Sequence, residues 1–277
     1  DSHGNIWFAT FAGVIKYDGA TFTNVTAGVS ESRFFSILED KKGNLWFGSI
    51  GEGVFLYDGA AWQHFTTNEG LVGNEVTNLY EDSKGNIWLG TTTGISIYDG
   101  TSFENLTKEQ GLPYDDVNTI IEDETGVFWI GTRGVACTYD GKSFTTITNQ
   151  QGDFFTNVRH IIKDKKGNIW LGGNSGLWRY DGENYIQLAS GFTGYISEDK
   201  KGNIWTSMQS QHGQGWSLLR YEATTLDVDE PIFAMVKTGE GMFFGILEDS
   251  NGNIWVGNLN GVYRYDGSTF EDFRNKN

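Results

Sequence analysis

Apolar residues along this chain fall in short runs separated by clusters of Gly, Asn, Asp, Ser and Thr. One stretch shows the unit. Val76 to Tyr80 is a short apolar run, and Asp82-Ser83-Lys84-Gly85-Asn86 is a turn, since Asp can bond backbone amides ahead of it and Gly and Asn tolerate positive φ. A second strand is expected over Asn86 to Thr91 and a third over Ile95 to Tyr98. Asp99-Gly100 signals a tight hairpin into a fourth strand, Ser102 to Leu106. The consecutive Ile87, Trp88 and Leu89 do not alternate with polar residues, so this strand is expected to be buried on both faces.

The unit returns along the whole chain. Its tryptophans are Trp7, Trp46, Trp88, Trp129, Trp170, Trp205 and Trp255, at intervals of 39, 42, 41, 41, 35 and 50 residues. A period near forty built from four short strands marks a propeller. One such sheet cannot bury both of its faces alone, and packing several of them side by side does so. The expected fold is all-β: one domain over residues 1–277, a seven-bladed β-propeller of four-stranded antiparallel blades. The chain starts at the turn Asp1-Ser2-His3-Gly4-Asn5, so the first blade is expected to lack its inner strand, with upstream residues or another chain as the means of completing it.

The Asp-x-x-Gly-Asn-Ile-Trp-x-Gly-Thr and Tyr-Asp-Gly pattern resembles the two-component regulator propeller repeat of bacteria, over essentially the whole chain. That resemblance implies the sensor part of a periplasmic or extracellular signalling protein, of a kind that commonly detects carbohydrates. The matching residues are turn and core residues, so they carry the fold more than the function.

Composition narrows the partners. A net charge of −16 argues against nucleic acid and anionic membrane surfaces, which call for basic patches. No apolar run has the length of a membrane helix. The single Cys137 excludes an intrachain disulfide and reads as a small buried hydrophobe. No spacing of His, Cys or carboxylates suggests a metal site or cofactor.

Departures from the repeat point to function. In repeat six Tyr221 lies 16 positions after Trp205, where in five repeats the matching spacing is 10. The extra residues include Gln209, His212 and Trp216, amides and an aromatic plane suited to a sugar. Repeat six also lacks the Tyr-Asp-Gly turn, and an irregular connection is expected over 224–241, sharing one face with the insertion. In the first strands, two positions change from blade to blade: Phe35, Thr77, Asn118, Arg159, Gly194 and Phe244, then Ser36, Asn78, Thr119, His160, Tyr195 and Gly245. The candidate binding residues are therefore Phe35, Arg159, His160, Gln209, His212, Trp216 and Phe244, with the unlike loop residues Phe11, Glu52, Arg133 and Asn258. They predict a carbohydrate or protein ligand near the channel mouth, with no catalytic residue. The rival readings are a polysaccharide- or cyclic-peptide-type lyase using His160 or His212 as base, and a scaffold in a surface complex.

Overall fold

The computed structural model describes residues 1–210, 215–228 and 231–274. Its strands form seven small antiparallel sheets in sequence order, the blades of a seven-bladed β-propeller; six have four strands and the first has three. No helix among the described residues is long and apolar enough to cross a membrane. The chain divides into two compact units, Asp1–Thr146 with blades one to four and Ile147–Asn277 with blades five to seven.

The turn aspartate explains why the pattern folds this way. In blade three, Asp82 Oδ1 accepts the backbone N–H groups of Lys84 (2.9 Å) and Asn86 (2.8 Å). Its Oδ2 accepts from Asn86 Nδ2 (2.8 Å) and from the indole Nε1 of Trp88 (3.0 Å). A single carboxylate thus shapes the turn and fixes the core tryptophan. The indole–carboxylate bond recurs in all seven blades, at 2.7 to 3.0 Å. At the next hairpin, Gly100 has φ +100°, which an L side chain rarely adopts, and its carbonyl accepts from Tyr98 Oη at 2.9 Å.

Five of the turn aspartates follow a glutamate, and each of these glutamates, Glu39, Glu81, Glu122, Glu198 and Glu248, also has a structural task. In unit one, Glu39 accepts Ser2 N–H (2.7 Å), Glu81 accepts Lys41 N–H (2.8 Å) and Glu122 accepts Ser83 N–H (2.6 Å). In unit two, Glu198 accepts Lys165 N–H at 3.0 Å, and Glu248 accepts that of Lys200. Each of these bonds fastens one blade's turn to the next blade.

Apolar clusters fill the space between sheets within each unit. In unit one, Trp88, Ile95, Leu112, Val117, Ile130 and Cys137 form one of them. Burial holds the Cys137 thiol up at about 12, so it behaves as the inert hydrophobe expected. The second strand of blade three, Ile87–Thr91, is buried throughout. Its counterpart in blade one, Ile6–Thr10, is buried only at Ile6, because no inner strand covers that edge among the described residues.

Blade six corrects one expectation. The stretch 224–241 is not an irregular connection: Phe233–Gly239 is the fourth strand, paired with Trp216–Tyr221. The missing Tyr-Asp-Gly turn is replaced by a 3-10 turn, Ala223–Thr225, and a longer excursion. That excursion lies at the blade end carrying the aspartate turns, opposite to the end expected. There Asp227 pairs with Lys166 Nζ and Arg179 Nη1, both at 2.8 Å. Its sequence neighbours Asp229 and Glu230 lie outside the described residues.

Candidate functional site

Antiparallel strands give each blade two ends. One carries the aspartate turns and the third-to-fourth hairpins. The other carries the second-to-third turns and the connections to the next blade, and all but a few of the candidate residues belong to it.

The variable first-strand positions have a common physical cause. In blades two, three, four and six the ladder shifts register at this point, between Phe34 and Ser36, Val76 and Asn78, Val117 and Thr119, and Thr193 and Tyr195. Phe35, Thr77, Asn118 and Gly194 are thus the extra residues of β-bulges, and bulges re-aim side chains. Thr77 Oγ1 donates to Val117 O at 2.5 Å, and Asn78 Oδ1 accepts Ile120 N–H at 3.0 Å, both reaching the next blade. Part of the variation therefore serves blade packing. Phe35 remains 42% exposed.

In unit one, the guanidinium of Arg33 sits 5.5 Å from the Phe11 ring. Glu52 accepts from Ser30 Oγ at 2.6 Å, and its carbonyl bonds His64 Nε2 at 2.5 Å. Arg133 pairs with Asp116 at 2.9 Å. In unit two, the Arg159 N–H donates to Gly172 O at 2.7 Å, and Phe244 is half-buried at the start of its strand. Asn258 caps its own turn by accepting Asn260 N–H at 2.8 Å. Gln209 and Trp216 are not loop residues: they pair with each other at the ends of two lengthened strands. Trp216 meets Phe192 edge-on at 5.7 Å and packs on the blade-seven cluster. His212 lies outside the described residues.

His160 stacks on Tyr195, with ring centroids 4.0 Å apart. Burial lowers the His160 pKa to about 4, outweighing a backbone bond to Ile196 that acts the other way, and its Nδ1 has no partner among the described residues. Burial raises the Tyr195 phenol to about 12. Both rings are therefore uncharged at neutral pH. Among the described residues, no group of His, Cys, Asp and Glu is arranged to hold a metal ion.

A cleft that the sequence reading did not single out lies beside blade five. It encloses about 650 Å³ between the connection at 149–155 and the blade's outer strands. Its floor is Phe155, which is buried and meets Trp178 edge-on at 5.3 Å and Tyr185 at 4.9 Å. Trp178 Nε1 and Gln187 Nε2 both donate to Ser175 O, at 2.7 and 3.0 Å. The rim turn is shaped by Asn149, whose Oδ1 accepts the N–H groups of Gln151 (3.0 Å) and Asp153 (2.9 Å). Gln150 and Gln151 stand exposed at its tip, and Phe154 is 51% exposed. The signal that would have found it is a register comparison: the buried Leu71 and Leu112 of the two preceding connections correspond to the exposed Asp153.

Five stretches, 28–51, 70–93, 111–134, 152–175 and 238–260, match the family described as two component regulator propeller. Among solved structures, the chain is similar to the extracellular domain of a hybrid two component system from B. thetaiotaomicron, with TM-score 0.79 and 24% identity. The match covers 97% of this chain but only 38% of that one. It is also similar to PorZ, a surface component of the type-IX secretion system of Porphyromonas gingivalis (TM-score 0.67, 18% identity, covering 96% and 45% of the two chains). A third likeness is to virginiamycin B lyase from Staphylococcus aureus (TM-score 0.69, 12% identity, covering 90% and 86%). At these identities the structural likenesses establish the fold. The comparison with curated proteins finds no match.

Proposed function

We propose that this chain, five stretches of which match the two component regulator propeller family, is a non-catalytic recognition module, the sensing part of a signalling protein on the periplasmic or extracellular side. Its ligand, a carbohydrate or a protein, is bound at the blade ends that carry the second-to-third turns. One observation carries this reading. The aspartate–tryptophan bond repeats in all seven blades, whereas the connections at the opposite ends differ from blade to blade. A rigid scaffold with one varied set of loops is the usual arrangement of a binding protein. Exposed aromatic rings and amides at those ends favour carbohydrate as the ligand.

The lyase reading draws on His160, which stacks on Tyr195, with Arg159 its neighbour in sequence. A base works best when its pKa lies near the operating pH. An imidazole lowered to about 4 and a phenol raised to about 12 are both poorly matched to neutral conditions. Recognition without turnover is the better fit.

The test is calorimetric titration of the chain with a panel of oligosaccharides, followed by product analysis of each bound one. Saturable binding with the oligosaccharide recovered intact is expected. Cleavage of a bound oligosaccharide would replace this reading with the enzymatic one.

A further inference from the structure

We infer that the cleft beside blade five binds an uncharged, hydroxyl-rich ring such as a neutral sugar residue. This rests on the recognition reading above and gives it a place and a ligand chemistry.

The cleft is lined by residues at positions that in blade three hold the connection down. Before blade three, the Val72 N–H donates to Ser96 Oγ at 2.9 Å, and Asn105 Nδ2 donates to Gly70 O at 3.0 Å. Leu71 fills the space beneath and is 4% exposed. At the same registers blade five has Trp178 for Ser96, Gln187 for Asn105 and Asp153 for Leu71. Both new side chains bond Ser175 instead of the connection. The connection is held instead by Phe155, buried against Trp178 and Tyr185, and by the Asn174 N–H donating to Thr156 O at 3.2 Å, and a cleft of about 650 Å³ is left beside it. Asn157, the only non-glycine with positive φ among the described residues (+45°), lies two residues beyond Phe155.

The lining then selects the ligand. Phe154 offers an exposed ring face, and Tyr185 a half-buried one, for the apolar side of a ring. Gln150 and Gln151 bring amides that both donate and accept, the pairing a hydroxyl needs, since it does the same. Asp153 is the one charged side chain among the lining residues, and no cation lines the cleft. A carboxylate or sulfate on the ligand would therefore meet repulsion with no partner, in a chain whose net charge is already −16. A volume of about 650 Å³ lies within the usual range for small-molecule sites.

The experiment titrates the chain with neutral gluco-, manno-, galacto-, xylo- and arabino-oligosaccharides and, as the anionic arm, with galacturonate and chondroitin sulfate oligosaccharides. Three variants follow. Phe154→Ala removes the exposed ring and should weaken binding of the neutral ligand about tenfold. Asp153→Leu restores the leucine of the neighbouring repeats and should abolish binding while keeping the parent melting temperature. Tyr114→Ala, in the corresponding connection before blade four, should leave affinity unchanged. Neutral binding that survives both Phe154→Ala and Asp153→Leu would overturn this assignment and leave the recognition reading intact. Binding confined to the anionic arm would overturn the ligand chemistry. Binding of none of the probes would overturn both proposals for carbohydrate. Should Asp153→Leu fail to fold, Phe154→Ala against Tyr114→Ala decides.

Discussion

Blades three and five are two copies of one repeat that differ where the chain enters them. Their scaffolds match: Trp88 and Trp170 are 4% and 0% exposed, and their indoles bond Asp82 and Asp164 at 3.0 and 2.9 Å. Their entrances do not. The connection before blade three lies flat, pinned through Ser96, Asn105 and Thr93, whose Oγ1 donates to Val72 O at 3.0 Å. The connection before blade five is anchored instead by Phe155, buried against Trp178 and Tyr185, and leaves a cleft beside it. A repeat acquires a cavity by exchanging the side chains that hold a loop, while the framework beneath stays the same.

The comparison is most sharply tested on the shared scaffold. Trp88→Ala and Trp170→Ala should each cost about 3–5 kcal/mol, as large-to-small core changes. Denaturant unfolding of the two variants should give similar losses. A much smaller loss for Trp170→Ala would show that the opened entrance has loosened blade five as a whole.

Acid comes next. Burial alone would raise the pKa of Asp82, but the bonds from Trp88, Asn86 and the backbone amides outweigh it and hold the group below its ordinary value of 3.8. Asp40 and Asp249 are lowered for the same reasons, and Asp123, against the same burial, by bonds from the Thr125 hydroxyl, Trp129 and the backbone amides of Thr125 and Val127. A carboxylate with a depressed folded pKa stabilises the fold above its ordinary value, and that stability is lost as pH falls through the folded pKa. The melting temperature should therefore fall steeply below about pH 4. Asp82→Asn should cost about 1–3 kcal/mol at pH 7 and make the acid limb shallower. An unchanged acid limb would mean that these turns are not what fails in acid.

Smaller still is the effect of releasing one loop. Ser96→Ala removes the acceptor of Val72 N–H and should cost about 1–2 kcal/mol. Amide exchange at Val72 should quicken, making the entrance of blade three behave like that of blade five. Least of all, Phe154→Ala should change stability by no more than about 0.5 kcal/mol, since the ring is half exposed and holds nothing down. A larger loss would mean that Phe154 supports the cleft instead of lining it.

The sequence made the scaffold legible because the residues that specify it are local and repeated: Asp, Gly, Asn and Trp within seven positions of one another. The β-bulge stayed hidden because it occurs in blade after blade and never disturbs the period. It surfaced only as unexplained variation at Phe35, Thr77 and Asn118. The outer strand of blade six was missed because the hairpin signal before it is absent, so Phe233 to Gly239 had no turn to announce it. Trp216 drew attention as an insertion residue, yet the strands on both sides simply lengthen to include it. The cleft was hidden for a different reason. It depends on residues distant in sequence, Asp153, Trp178 and Gln187, each unremarkable alone and informative only beside its counterpart in another repeat.

The recurrent indole–carboxylate bond also gives the molecule an optical signature. Seven of its ten tryptophans make the same indole–carboxylate bond, six of them buried and Trp7 half-buried, and Trp62, Trp178 and Trp216 differ. Their combined emission should form a narrow band that shifts to the red when the turns let go. Of the three outliers, Trp178 alone lines the cleft. A ligand settling there would perturb one chromophore against a steady background of seven, so intrinsic fluorescence can follow occupancy and unfolding separately in the same cuvette.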